Sequence, residues 1–256
     1  MAINYTKIKL GHLLYRFCYP LYKVMYFRYK RKNDKNEIRV LKDAIHRGDT
    51  VLDIGANTGF YALLFSNLAG DQGHVICFEP DRKNYLRLAK NKFPRNNISM
   101  YNMAVSDKNE IIKIYRSKLL NVDHRTYPVN NAESVSEIEA VALDEFLEKK
   151  LVMTADVIKI DIQGYEMTAF KGMTRILRQS RNLKILSEVW PHGLRKAGSS
   201  SIEYYRFFKE RDFTIYSIGD NGEDELDESF VIENDQQPFE FSYNILIVKK
   251  DKAFTP

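Results

Sequence analysis

The sequence predicts an α/β protein built on a doubly wound, mostly parallel sheet with helices on both faces. Two observations carry this. After residue 36, strand-length apolar runs alternate with stretches of helical periodicity. Several of those runs, such as "TVLDI" and "DVIKIDI", are apolar almost throughout, as in strands covered on both faces. At 256 residues, 44% hydrophobic and 29% charged, the chain suits one such domain with an extension.

The elements follow in order. Glu37–His46 reads as a helix ended by Gly48. "TVLDI" is a strand, "GFYALLFSNLA" a helix, and "HVICFEP" a second strand. "DRKNYLRLAKNKF" is a helix with Asp81 as its N-cap. "ISMYNMAVS" reads as one strand running into a loop, and "EIIKIYR" as an extra strand or hairpin. Residues 117–136 are polar and irregular, long for a loop, and long loops in compact domains often carry function. "SEIEAVAL" is a strand, and "DEFLEKK" a short helix begun by Asp144. Then come the strand "DVIKIDI", the helical stretch "YEMTAFKGMTRILRQS", the strand "LKILSEVW", the helix "SIEYYRFFKERD" and the strands "FTIYSI" and "FSYNILIVKK". The last two strands are joined by residues 219–241, which show no evident helix. This predicts an antiparallel finish at one edge of the sheet.

In sheets of this kind ligands bind beyond the carboxyl ends of the strands. Attention therefore falls first on "TVLDIGANTGF". A dinucleotide fingerprint needs three glycines, but Asn57 and Phe60 stand at its second and third positions, and no Gly-Lys-Ser/Thr follows for a phosphate-binding P-loop. What remains is Asp53, Gly55, Asn57 and Gly59. Glycines let a backbone approach a ligand closely, and an acid at a strand end suits a cation better than a phosphate. Glu79 ends the next strand, where a carboxylate can accept hydrogen bonds from vicinal ribose hydroxyls. The ligand so described has a ribose and a positive amino group but no phosphate; S-adenosylmethionine fits.

With these residues in place the chain resembles a known family. "VLDIGANTGFYALLFSNLAG", "VICFEPDRKNYLRLAKN", "NMAVSD", "IKIDIQGYEMTAFKGM" and "ILSEVWP", in that order over roughly residues 38–250, look like the motifs of the FkbM S-adenosylmethionine-dependent methyltransferases. The resemblance implies a class I methyltransferase fold, seven strands with the last antiparallel and inserted beside the sixth. It also implies O-methylation of a sugar, glycan or related hydroxylated natural product. Residue by residue, it implies that Asp53, Gly55, Ala56, Asn57 and Gly59 line the methionine part of the cofactor. Glu79 would hold the ribose, Ala104 border the adenine, and Asp161 sit beside the transferred methyl. Where many members carry Asp-x-Glu-Gly, this chain has Asp161, Ile162, Gln163 and Gly164. Gln163 cannot serve as a base, but it can orient an acceptor hydroxyl.

An alcohol acceptor must lose its proton, so a general base within hydrogen-bond reach is sought. His46 and His74 fall at the amino ends of strands, away from the expected site, and His12 lies in a basic segment. His124, in the polar triplet Asp123, His124 and Arg125, is the first candidate base, with Arg125 gripping the acceptor; local turn bonding is the plainer account of the triplet. Asp161 is a candidate for positioning the cofactor and acceptor, and Glu188 for binding acceptor hydroxyls. Trp190 and His192 are candidate acceptor contacts, Trp190 as a sugar-stacking platform, although a core position is the more usual one for a tryptophan. No spacing identifies a metal site; Asp161 and Glu188 are the carboxylates that metal-assisted transfer would use.

Residues 1–36 form a separate basic, aromatic segment divided by Pro20, with Lys30–Lys35 read as a linker and residues 37–256 as the methyltransferase domain. The segment carries nine Lys or Arg against one acid, a net +8 in a chain of net +5, which leaves −3 for the domain. Three uses fit: a helix packing its aromatic side on the domain, contact with an anionic membrane surface, or a nucleic-acid arm. An RNA methyltransferase is the alternative function, opposed by the acidic domain. A non-catalytic nucleoside-binding module is a third, opposed by the intact loop and Glu79. Two distant cysteines, no secretory signal and no membrane-length apolar run predict a cytoplasmic protein, with peripheral contact at the inner membrane face through residues 1–36.

Overall fold

The structure, a computed structural model, describes residues 5–92, 94–117, 124–127 and 132–250. Helices α1 (Tyr5–Phe17), α2 (Tyr19–Asn33) and α3 (Lys35–Ala44) lead into β1 (Thr50–Ile54), α4 (Phe60–Ala69), β2 (His74–Phe78), α5 (Arg82–Lys92) and β3 (Ile98–Tyr101). A run of strands follows: β4 (Ala104–Ser106), β5 (Glu110–Ser117), β6 (His124–Arg125) and β7 (Ala132–Ala142). The chain continues through α6 (Leu143–Glu148), β8 (Val157–Ile160), α7 (Glu166–Lys171), α8 (Thr174–Gln179), β9 (Lys184–Val189), α9 (Pro191–Lys196) and α10 (Ser201–Lys209). It ends with β10 (Phe213–Gly219), β11 (Gly222–Glu225), α11 (Glu228–Asn234) and β12 (Tyr243–Lys249).

The main sheet has the order β11-β10-β12-β9-β8-β1-β2-β3. Strands β3, β2, β1, β8 and β9 are parallel; β12 is antiparallel to both β9 and β10 and lies between them. Without β11 this is the expected seven-stranded class I arrangement. β11 adds an eighth strand as an antiparallel hairpin on β10. The last strand therefore sits inside the sheet, not at its edge. The strand order reverses between β1 and β8, which opens a crevice beyond their carboxyl ends. On either side of the sheet the core is dense. Leu52, Ile54, Ile158 and Ile160 bury into one layer, Val51, Val157 and Phe65 into the other.

A second, four-stranded sheet has the order β4-β7-β5-β6. "ISMYNMAVS" is thus two strands in two sheets. At the break the Asn102 side-chain amide donates to the Glu79 and Pro80 carbonyls, each at 2.9 Å. The region 117–136 contains β6 and the start of β7; Asp123 lies outside the described residues.

Several local expectations change. The connection 219–241 holds β11 and α11, whose cap Asp227 accepts from the Phe230 N–H at 2.8 Å. α11 buries only Val231, so its amphipathic signal is faint. Lys30–Asn33 is helical, not a linker, because α2 runs on until the Asp34 N–H closes on the Lys30 carbonyl at 2.9 Å and Lys30 pairs with Asp34. Pro20 falls in the first turn of α2, where its missing N–H costs nothing, and the break comes at Cys18. Asp81 caps α5 as expected, accepting from the Lys83 and Asn84 N–H groups at 2.9 Å, and also receives Arg116 of β5. Asp144 caps a different helix: its carboxylate accepts from the Arg175 and Ile176 N–H groups at the start of α8.

Helices α1 and α2 pack against α4 and α5 through an aromatic seam of Tyr15, Tyr19, Tyr22 and Tyr26. The Tyr15 hydroxyl donates to Asn84 at 2.7 Å, the Asn91 amide donates to the Tyr19 hydroxyl at 2.6 Å, and the Arg87 guanidinium lies 3.9 Å from the Tyr19 ring centre. Phe27 meets Phe60 edge-on at 5.3 Å, and the Tyr61 hydroxyl donates to Asp34 at 2.6 Å.

The capping of α8 gives an expected outcome. Asp144→Ala removes a charged acceptor from two helix N–H groups and should cost about 1–2 kcal/mol in urea unfolding, with cofactor affinity by calorimetry unchanged. Asp144→Asn should recover most of the loss.

Candidate active site

A cavity of about 390 Å³ opens at the switch point, a size typical of small-ligand sites, roughly 300–1,000 Å³. Its floor is the loop after β1 and the loop after β8. Gly55 has φ +83°, and a Cβ there would stand 2.1 Å from the Asp161 carbonyl oxygen, so only glycine allows the two loops to touch. Asn57 and Gln163 also adopt positive φ, 50° and 59°, an uncommon conformation for residues with a side chain, one on each of the two touching loops. The β8 loop is tied from beneath by Glu166. Its buried carboxylate accepts from the Ile162 N–H at 2.9 Å and the Gly164 N–H at 3.2 Å, and burial pushes its pKa up to about 7.

Of the expected cofactor residues, Gly55, Ala56, Asn57, Glu79, Ala104 and Asp161 line the cavity. Glu79 accepts from the Asn57 N–H at 2.7 Å, from the Asp81 N–H at 2.9 Å and from the Asn84 side chain, which together orient its carboxylate. Burial raises its pKa to about 8, against the lowering effect of those bonds. Asp53 and Gly59 do not line the cavity. Gly59 is a left-handed N-cap of α4, and a Cβ there would collide with Leu88. Asp53 shares the face of Val51, fully buried, and neither carboxylate oxygen has a hydrogen-bond partner among the described residues. Burial raises its pKa to about 6, while Lys159, its register partner on β8, works in the opposite direction.

Lys159 is the centre of the charge arrangement. It is 6% exposed, with its ammonium 3.5 Å from Asp161 and 5.1 Å from the Tyr61 ring centre. Burial alone would lower the Lys159 pKa, but Asp161 and Asp53 raise it overall. Burial would likewise raise Asp161, but Lys159 and then Lys30 hold its carboxyl below the usual range. The Gln163 amide donates to Asp161 at 2.9 Å, so Gln163 orients a carboxylate here.

Glu188, at the end of β9, also faces the cavity and accepts from the Ser242 hydroxyl at 2.7 Å. Burial, followed by the negative charge of Asp161, raises it to about 7. Arg125 and Trp190 form an adjoining wall. The guanidinium lies 4.9 Å from the Trp190 ring centre and 5.2 Å from that of Phe239. Trp190 is 7% exposed, and its indole N–H donates to the Phe239 carbonyl at 2.8 Å. Its ring is thus covered by Arg125 and Phe239, so it is no open stacking platform. His192 lies outside the cavity lining, beside Trp190 and Phe239. The His124 backbone pairs with Arg116, and its side chain lies outside the described residues. Among the described residues no group of three or more His, Cys, Asp or Glu could hold a metal ion.

Sequence reasoning missed three contributors from α2. Tyr26, Tyr29 and Lys30 line the cavity together with Asp161 and Glu188, and the Lys30 charge lowers the pKa of both carboxyls. Their spacing put them on an extension, and only the docking of α2 on α4 brings them to the site. The arrangement can hold a cationic ligand bearing vicinal hydroxyls, with carboxylates at the ends of β2, β8 and β9 facing one space.

The chain matches the Methyltransferase FkbM domain over residues 53–215. It is 28% identical to the hexuronic acid methyltransferase AglP of Haloferax volcanii over 192 residues, covering 72% of this chain and 77% of that protein. It is 26% identical to the 2-O-methyltransferase NoeI of Sinorhizobium fredii over 147 residues, 51% of this chain and 60% of that one. A solved structure from Clostridium thermocellum, described as an rRNA methylase, superposes with a TM-score of 0.51 at 10% identity, covering 84% of this chain and 94% of its own; that likeness concerns the fold alone. The strand order, the carboxylate-lined crevice at the switch point and the match to the domain agree: this chain belongs to the FkbM family of S-adenosylmethionine-dependent methyltransferases.

Proposed function

We propose that this enzyme methylates a hydroxyl oxygen of a sugar or glycan, and that Glu188 takes the hydroxyl proton. The observation that carries the reading is the pair Asp161 and Glu188 facing one cavity, with Glu188 raised to about 7 and Asp161 held below the usual range. S-adenosylmethionine supplies a methyl group on a positive sulfur, so the chain must align an acceptor oxygen with it and relieve that oxygen of its proton. Glu79 would accept from the ribose hydroxyls, Ala104 would border the base, and the loop from Gly55 to Asn57 would carry the methionine portion. Asp161, tethered by Gln163 and kept ionised by Lys159, would accept from the donors of cofactor and acceptor. Arg125 and the indole edge of Trp190 would meet the sugar. His124 is the second candidate base. AglP and NoeI, whose names specify a hexuronic acid and a 2-O-position, support a sugar acceptor. The acid-lined cavity and the net −3 of residues 37–256 weigh against RNA. The same reading extends to place: a cytoplasmic enzyme meeting the inner membrane face through residues 1–36.

Glu188 decides the assignment of the base. At saturating cofactor, kcat should rise with pH through about 7, because the carboxylate form takes the proton and gains population above its pKa. Glu188→Gln should lower kcat by about 100-fold or more and remove that limb. A limb that survives in Glu188→Gln and disappears in His124→Ala would transfer the role to His124.

Cofactor affinity should also depend on pH. Ribose O–H donors and a cationic ligand both favour ionised Glu79, whose pKa is raised to about 8. Calorimetric affinity should therefore strengthen as pH rises from 6 to 8, by up to about tenfold per unit. Glu79→Gln should bind more weakly with a flatter profile. Gly55→Ala should weaken cofactor binding by about tenfold or more, since its methyl group must displace the Asp161 carbonyl and part the two loops.

A further inference from the structure

Helix α2 is apolar on two sides, and only one of them is covered. Advancing 100° per residue, Tyr19, Tyr22, Tyr26 and Lys30 form the side seated on the domain. Leu21, Val24, Met25, Arg28 and Lys32 share the opposite side. There Leu21 is 49% exposed, Val24 54% and Met25 44%, and α1 extends the stripe with Leu13 at 54% and Phe17 at 72%. A scattered exposed leucine needs no account, but a stripe of five large apolar side chains at helical spacing does.

The charges beside that stripe are of one sign. Residues 5–33 contain eight Lys or Arg and no Asp or Glu. Arg16, Lys23, Arg28, Arg31 and Lys32 form no ion pair among the described residues. A second copy of this chain would bring the same cations against them, and like charges would oppose the contact. RNA would satisfy the cations but leave the aliphatic side chains without a partner, since stacking needs aromatic rings. An anionic lipid surface satisfies both, taking the aliphatics below its headgroups and the cations among them.

One residue joins this face to the site. Tyr29 lies at the margin of the outward side of α2, is 61% exposed, and lines the cavity together with Tyr26 and Lys30. The mouth of the cavity therefore opens beside the apolar stripe. We propose that the outward face of α1 and α2 docks on an anionic lipid bilayer, and that the acceptor is a sugar carried on a membrane lipid. The second half rests on the sugar O-methylation reading; the docking half stands without it. Helix α2 has two duties in this arrangement: one side rests on lipid while the other completes the site.

The test uses the full chain, because removing α2 would also strip Tyr26 and Lys30 from the cavity. Cosedimentation is measured with vesicles of phosphatidylcholine alone and with about one third phosphatidylglycerol. The protein should partition at least about tenfold better onto the anionic vesicles, and less so in about 0.5 M salt. The combined variant Phe17→Ser, Leu21→Ser and Met25→Ser should lose at least about tenfold of that partitioning. It should keep its cofactor affinity and its turnover of a soluble sugar, while turning over a lipid-carried sugar in vesicles about tenfold more slowly. Equal partitioning onto both vesicle types, or unchanged partitioning of the variant, overturns the docking. So does a solution dimer that the variant dissociates, which would give the face to a second copy, or RNA binding that the variant abolishes. Absence of cofactor binding or of turnover on any hydroxyl acceptor would instead strike the methyl-transfer reading and leave the vesicle result standing.

Discussion

Everything at this site depends on one buried ammonium. Asp53, Asp161 and Glu188 share a low-dielectric region in which carboxylates repel one another and lose hydration. Lys159 makes the group tenable. Register places it opposite Asp53 on β1, and Asp161, just past the end of its own strand, lies 3.5 Å from its ammonium. Such a pair is an uncertain source of stability, since desolvation offsets most of the attraction. Its value here is electrostatic division: one carboxyl stays ionised while its neighbour moves toward neutrality. That division is what lets two similar groups take different parts in one reaction.

The second support comes from outside the doubly wound core. Lys30 and Tyr61 meet at Asp34, the residue that joins α2 to α3. This links the aromatic seam, the first helix after the glycine loop and the acids of the cavity into one continuous set of contacts. Without α2 the crevice would lose three lining residues and the Lys30 charge that lowers both Asp161 and Glu188. With α2 in place, that crevice has a wall and a countercharge.

The fold was legible because its signals are local. Continuous apolar strands, helical spacing, Asp81 as a cap and the glycine loop each depend on near neighbours in sequence. Where pairing partners are distant, the reading was incomplete. "ISMYNMAVS" looks like one strand because nothing nearby tells that Ala104–Ser106 will pair with Ala140–Ala142. Asp144 looks like the cap of its own helix, since α8 lies thirty residues away. The site divides in the same manner. Gly55, Asn57, Glu79 and Asp161 follow from their positions at strand ends. The direction of Asp53 did not, because β1 is buried on both faces and so carries no alternation to orient it. The cation it meets is the chain's own Lys159. Tyr26 and Lys30 were invisible for a simpler reason: their place is set by the docking of α2, not by their own sequence.

The small sheet β4-β7-β5-β6 shares little with the main one, yet Ile114, Arg125 and Thr126 from its strands and the adjoining loop lie along the cavity. Its strand β4 contributes Ala104 and Val105 to the same lining, so the small sheet borders the cavity at two places, through β4 and through β5, β6 and the loop after it. Changes at Ile114, Arg125 and Thr126 can reshape that wall without touching the loops at Gly55, Glu79 and Asp161. Natural selection working on such a chain can diversify the decorated molecule while inheriting the alkylating half intact. A lineage built this way would keep one donor and acquire many products.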